Sequence, residues 1–210
     1  MISSSSLTFD FVEQGRLVFL RLQGALDEGS RLEERTPAFV ERKLVVNLEG
    51  ITRVTAPGVR DWVRWVHAQE ARENSLHLMR CSPSVMGPLR RIRNFCGEKG
   101  HLVSFRAPYF CPPCKSEHVE TLLTSMLSLE TAAPISICHG CSEPMDFDEP
   151  LETYLPTLLR HAQRPVDPDV LAAIQRFGDG NLATAVATLQ EISAGRLSSP
   201  SRYLTPTSEE

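Results

Sequence analysis

The sequence predicts an α/β fold: a mainly parallel sheet with helices, followed by a small cysteine-bearing module and a C-terminal helical extension. Three observations carry this. Short apolar runs of strand length alternate with amphipathic helical periods through residues 1–106. Two Cys-x-x-Cys pairs fall within residues 107–148, where the long helical periods stop. Helical spacing returns over 149–194, and the polar residues 195–210 read as a disordered tail.

The elements follow in order. Residues 7–23 form two strands around a tight turn at Gln14-Gly15, with Phe9, Phe11, Leu17, Phe19, Leu20 and Leu22 as their apolar content. Residues 27–35 are polar enough for a short surface helix, and 43–49 form an apolar strand of the kind buried in a sheet. In 56–72, Val59, Trp62, Val63 and Val66 fall at i, i+3, i+4 and i+7, one face of a helix, and Pro57 suits its first turn. Residues 76–81 make another strand. Ser82 and Pro83 open a helix carrying Val85, Met86, Leu89, Ile92 and Phe95, which Gly97 and Gly100 end. Residues 101–106 are the last strand of this unit.

This order implies a sheet covered by helices on one face, with the early hairpin at one side. In the extension, Leu151, Leu155, Leu158 and Leu159 mark a helix that Pro156 can divide. Residues 169–177 mark a second, with Gly178 as its stop, and 182–192 a third.

Composition bounds the function. Hydrophobic residues make up 41% and charged residues 23%, an ordinary globular balance. No apolar run approaches the roughly 20 residues of a membrane span. Met1-Ile-Ser-Ser-Ser-Ser lacks the blocks of a signal peptide, so the expected location is cytoplasmic. Residues 1–106 hold 16 Lys/Arg against 12 Asp/Glu, and 107–210 hold 6 against 14. Halves of opposite sign permit contact with each other or with different partners.

The cysteines are the strongest signal. Cys111-Pro-Pro-Cys114 and Cys138-His-Gly-Cys141 are two turns whose thiolates can face one centre and complete a tetrahedron around Zn²⁺. The expected cofactor is one structural zinc in a small zinc ribbon. Four thiolates leave no position for water, which argues against Lewis-acid catalysis. A redox dithiol and an iron–sulfur cluster are the rivals. His139 could replace a cysteine, but the all-cysteine set is simpler; His118 reads as a surface or turn residue. Between Cys111 and Pro150 only Lys115 is basic, against seven acidic residues, a surface that repels phosphate.

Several stretches of 1–106 carry a resemblance. They are Gly24-Ala-Leu-Asp27, Leu44-Val-Val-Asn-Leu-Glu49, Ile51-Thr-Arg-Val-Thr-Ala-Pro-Gly-Val59, Leu76-His-Leu-Met79 and Ser82-Pro-Ser-Val85. Together they resemble the STAS domain of anti-sigma-factor antagonists over about half the chain. The resemblance implies a bacterial signalling protein. It also implies a binding surface at the turn into the helix at 56–72, where the family has Asp-Ser-x-Gly and a partner kinase phosphorylates the serine. Here the turn reads Thr55-Ala56-Pro57-Gly58, with Ala56 in the acceptor's place and Gly58 retained. The switch that two added negative charges would supply is therefore expected to be absent. Thr55 or Thr52 would have to substitute; otherwise Thr55 is a helix cap.

The expected partner-binding set is Thr55, Ala56, Gly58, Arg60 and Trp65. Trp65 lies about a quarter turn off the apolar stripe, so it is either an exposed contact or packed at the sheet edge. Arg90, Arg91 and Arg93 form a basic group that is a solvated face, or meets an acidic partner, or meets the acidic half of the chain. Arg80 and Lys99 are near it in sequence.

No phosphate loop, dinucleotide fingerprint or nucleophile elbow occurs. Cys81 and Cys96 read as buried thiols, His67 and His77 lack a nucleophile, and Asp146, Asp148, Glu149 and Glu152 read as a solvated acidic run. The expectation is a non-catalytic adaptor that binds a regulatory or signalling protein (a kinase or another STAS protein), with homo-oligomerisation left open. The alternative is a nucleic-acid-associated transcriptional regulator using the ribbon or the arginine helix.

Overall fold

The structure, a computed structural model, describes residues 6–127, 135–162 and 165–177. It is α/β, with a mixed five-stranded sheet, helices, and a second, antiparallel sheet. The third helix expected at 182–192 and the tail at 195–210 lie outside the described residues. No described helix is long and apolar enough to cross a membrane.

The first sheet has strand order β1-β2-β3-β4-β5. β1 (Thr8–Gln14) and β2 (Leu17–Leu26) form an antiparallel hairpin across a two-residue turn. Gly15 takes φ +57 there, where a residue without Cβ meets no strain. β3 (Lys43–Val54), β4 (Ser75–Met79) and β5 (His101–Leu102) follow in parallel. β3 runs five residues past the expected end at Glu49. Gly50 lies within this extension and lets β3 close on β2: a Cβ would come within 2.7 Å of the Gln23 side chain.

α1 (Leu32–Arg35), α2 (Ala56–Ala71) and α3 (Pro83–Arg91) belong to one side of this sheet. Their core joins Leu20, Leu44, Val46 and Leu78 of the strands to Leu32, Trp62, Val66, Val85 and Leu89. Trp62 stacks on Phe95 at 5.2 Å and donates Nε1–H to the Phe95 carbonyl at 2.8 Å. The buried face of α2 is Gly58, Trp62, Trp65, Val66 and Gln69, rotated from the expected stripe because α1 covers its flank. α3 ends at Arg91, four residues short of the expected Phe95. Ile92 leaves the helix in extended geometry, and the chain turns at 92–97 so that Phe95 can reach Trp62.

α4 (Leu151–Ala162) runs unbroken through Pro156. α5 (Pro168–Phe177) changes the expected one-sided arrangement. It lies on the opposite face, where Val170 and Ala173 pack on Phe19, Val45 and Met79. Lys43 ties it down by ion pairs to Asp167 at 2.7 Å and Asp169 at 2.9 Å.

The last expected strand is two strands with different allegiances. β5 ends at Leu102, Val103 donates its N–H to the Leu78 carbonyl, and β6 (Ser104–Cys111) departs. β6 begins beside the first sheet, through a parallel bridge between Phe105 and Cys81. It ends inside the second sheet, whose order is β7-β6-β9-β8, with β7 (Ser116–Leu123), β8 (Ser136–Ile137) and β9 (Pro144–Phe147). The boundary placed after residue 106 therefore falls within β6. Burial alternates along it, so Phe105, Ala107, Tyr109 and Cys111 enter one core that also holds Trp62, Met145 and Tyr154.

Charge reinforces this junction. Arg80 makes two 2.7 Å hydrogen bonds to Glu49, and Arg106 of β6 lies 3.6 Å from the same carboxylate. Hydrogen bonding from Arg80, aided by the nearby charges of Arg106 and Arg21, holds the Glu49 carboxyl below its ordinary value. A depressed folded-state pKa contributes stability above the unfolded value, and this is lost as pH falls through the folded one. The group is partly open to solvent, so the contribution is about 1 kcal/mol or less. Glu49→Gln should lower the thermal midpoint at pH 7, and the gap to wild type should close below about pH 4. A constant gap from pH 7 to pH 3 would show that the pair's charge contributes nothing.

Candidate functional site

The four cysteines converge at one end of the second sheet. β6 delivers Cys111, the turn to β7 supplies Cys114, and the β8–β9 turn supplies Cys138 and Cys141. The two turns are built alike. Each second cysteine precedes a residue in the left-handed region, Lys115 at φ 54 and Ser142 at φ 62, which bends the chain back into the next strand. The Cys138 N–H bonds the Glu143 carbonyl at 2.9 Å, and the Ser142 N–H bonds the Cys138 carbonyl at 2.8 Å. Gly140 donates its N–H to Cys138 Sγ at 3.4 Å. A Cβ on Gly140 would sit 3.7 Å from the sulfurs of both Cys114 and Cys138, so the turn lies directly against the thiols.

The sulfurs are close enough to hold a metal ion. All four lie within 4.8 Å of one another, with 3.5 Å between Cys111 and Cys141 and 3.9 Å between Cys138 and Cys114. A tetrahedron with metal–sulfur arms of 2.3 Å has edges of about 3.8 Å, between those two values. Their acidities point the same way. The N–H groups of Gly140 and Cys141 bring the Cys138 thiol down to about 6. Hydrogen bonds with Cys141, Cys111 and Cys138 push Cys114 up to about 12. Thiols this close compete for negative charge, and a divalent cation removes the conflict.

His118 is half-buried on a strand and not in a turn. It stands on β7 with Nε2 at 2.9 Å from Ser116 Oγ and 3.7 Å from Cys138 Sγ, against the cluster. Its spacing matches no ligand pattern; only the β6–β7 register brings it there. His139 is exposed and outside the cluster. Asp146 and Asp148 join no metal-holding group among the described residues.

The turn into α2 is the second candidate. Thr55 is its N-cap: Oγ1 accepts the Gly58 N–H at 3.2 Å. Thr52 Oγ1 donates to the Gly24 carbonyl at 3.2 Å. Ala56 and Arg60 are exposed one turn apart. Gly58 is buried, and a Cβ there would collide with the Leu26 carbonyl and come within 2.7 Å of the Asp27 nitrogen.

Trp65 is no surface contact. It is 0% exposed, 5.2 Å from the Trp62 ring, and donates Nε1–H to Thr36 Oγ1 at 2.8 Å, fastening α2 to the end of α1. Gly58 and Trp65 therefore leave the partner-facing set, which reduces to Ala56 and Arg60 beside the partly buried Thr55.

The basic group disperses. Arg90 lies 4.0 Å over the Tyr154 ring of α4 with Glu149 beside it, Arg91 is exposed at the end of α3, and Arg93 lies beyond the helix. Arg80 is held by Glu49. Cys81 and Cys96 are buried, and burial pushes the Cys81 thiol up. His77 is buried against the parallel ring of His101 at 5.4 Å, and burial with that neighbour lowers its pKa to about 4. No protein-family model matches the chain, and a search of curated proteins returns no match.

Elemental analysis of protein purified without chelators should find one metal ion per chain. Cys138→Ser should abolish it and lower the thermal midpoint by about 10 °C or more. An equal midpoint for metal-stripped and untreated protein would remove the structural role. Gly58→Ala should cost roughly 1–3 kcal/mol in denaturant unfolding, because α2 must shift off a backbone carbonyl; an unchanged midpoint would show that the contact is soft.

Proposed function

We propose that this chain is a non-catalytic regulatory adaptor, in which a STAS-like domain binds a signalling protein and a zinc ribbon completes the fold. The observation that carries this reading is the end of β3 and the start of α2. An exposed Ala56 and Arg60 stand at the carboxyl end of a mainly parallel sheet, where a capped helix presents them rigidly. Thr55 Oγ1 is engaged as the cap and Thr52 Oγ1 as a donor to backbone. With alanine at the acceptor position, binding is constitutive rather than switched by phosphate.

Zinc is the ion this reading assigns to Cys111, Cys114, Cys138 and Cys141. Four thiolates suit zinc or iron, and the sulfur spacing suits one ion rather than a cluster. When bound, zinc supplies a closed four-coordinate crosslink between the β6–β7 and β8–β9 turns. The nucleic-acid alternative draws little support from charge placement: Arg91 stands apart from Arg90 and Arg93, Arg90 is engaged by Tyr154 and Glu149, and acidic residues dominate the ribbon.

The test is affinity capture from the native cell with an Ala56→Asp/Arg60→Glu double variant. Both side chains are exposed, so the fold is retained, which circular dichroism checks. Recovery of the specific partner should fall about tenfold or more. Undiminished recovery would refute this surface.

A further inference from the structure

Two of the dispersed arginines line a cavity that the adaptor reading does not use. The cavity has a volume of about 510 Å³ and lies between the 92–98 turn and the last turns of α4. Among the described residues, Arg90, Arg93, Arg160 and His161 line it, and Glu98 is the only carboxylate of the lining. Three permanent positive charges thus face one negative charge, in a protein whose overall formal charge is -4. Glu149 lies behind Arg90 at 4.0 Å. A basic residue in the last turn of each helix is what helix-end carbonyls favour. That account does not reach Arg93, which lies past the end of α3, nor the volume between the two walls.

Both walls are held from behind. Trp62 bonds the Phe95 carbonyl, and the Glu70 carboxylate accepts the Glu98 backbone N–H, so α2 fixes the turn. Gly97 at φ +81 allows that approach, since a Cβ there would meet the Glu70 carboxylate. On the other wall, the Tyr154 ring lies under Arg90 and the buried Thr157 faces the cavity. The Leu102 N–H donates to His161 Nδ1 at 3.2 Å, which places the neutral ring's proton on Nε2 as a donor. The volume falls in the range of small-molecule sites. Guanidinium groups carry the forked donors that phosphate oxygens accept.

We infer that this cleft binds a small phosphorylated molecule, with Arg93 and Arg160 as its charge contacts and His161 and Thr157 as neutral donors. The site spans the turn after α3 and the end of α4, so its ligand crosslinks the α/β unit to the C-terminal extension.

Calorimetric titration of the full metal-loaded chain with pyrophosphate and with a sugar phosphate, at about 0.15 M salt, tests this. One-to-one saturable binding of at least one probe is expected. Tighter pyrophosphate binding would identify an inorganic ligand, and tighter sugar phosphate binding a phosphorylated metabolite; both support the site. Arg93→Glu and Arg160→Glu should each weaken binding about tenfold or more, as expected for losing a charge-assisted contact. Arg91→Glu, which adds the same charge change outside the cavity, should change it less than about twofold. Absence of saturable binding by both probes up to about 10 mM would overturn the inference. So would equal losses in all three variants, which would mean only general charge attraction.

Discussion

β6 is the strand on which the second half of the molecule depends. Its first residues bridge to Cys81 beside the first sheet, and its last residue is a member of the thiol cluster. A strand is stiff over such a distance, so the position of Cys111 is set by the packing of Phe105 and Ala107 as much as by its sulfur neighbours. The Glu49–Arg80–Arg106 group stands where β6 departs. The core continues without a gap from Trp62 to Met145. A metal bound by the four thiols would close a ring of contacts that begins in the first sheet, not merely staple a loop.

Much of this was legible because some residues have only one good use. The apolar run at 43–49 could only be a buried strand, and two Cys-x-x-Cys pairs had few alternatives to a shared ion. What was not legible depends on neighbours that periodicity does not name. The helical wheel of α2 cannot know that α1 will cover Trp65, nor that Thr36 will accept its indole N–H. The strand expected at 43–49 runs on through Gly50, which is a site of close approach to Gln23. The stretch 101–106 reads as one strand because Leu102, Val103 and Phe105 fall in a strand-length run with no Gly or Pro to break it, although its two halves pair with different sheets. Ile92 ends α3 because Trp62 and Phe95 stack, a tertiary demand that overrides a good helical pattern.

The arginines after α3 illustrate the same limit in charge rather than packing. Adjacent in sequence, they suggest one basic face. In place, Arg90 turns to an aromatic ring and a carboxylate of the extension, whereas Arg93 meets basic groups from α4. The opposite net charges of the two halves are thus expressed in specific contacts, Arg90 with Glu149 and Lys43 with Asp167 and Asp169.

α5 has a consequence for recognition. Helices cover one side of the first sheet, and α5 packs across Phe19, Val45 and Met79 on the other, so neither face of that sheet lies open to a second protein. For the proposed adaptor, this favours end-on recognition at the rim where strands hand over to helices. Rims are built of caps, tight glycines and short turns, which tolerate few substitutions in backbone-contacting positions and many in outward ones. A partner's choice would therefore be tuned by swapping exposed side chains such as those at positions 56 and 60, while the geometry that presents them stays constant.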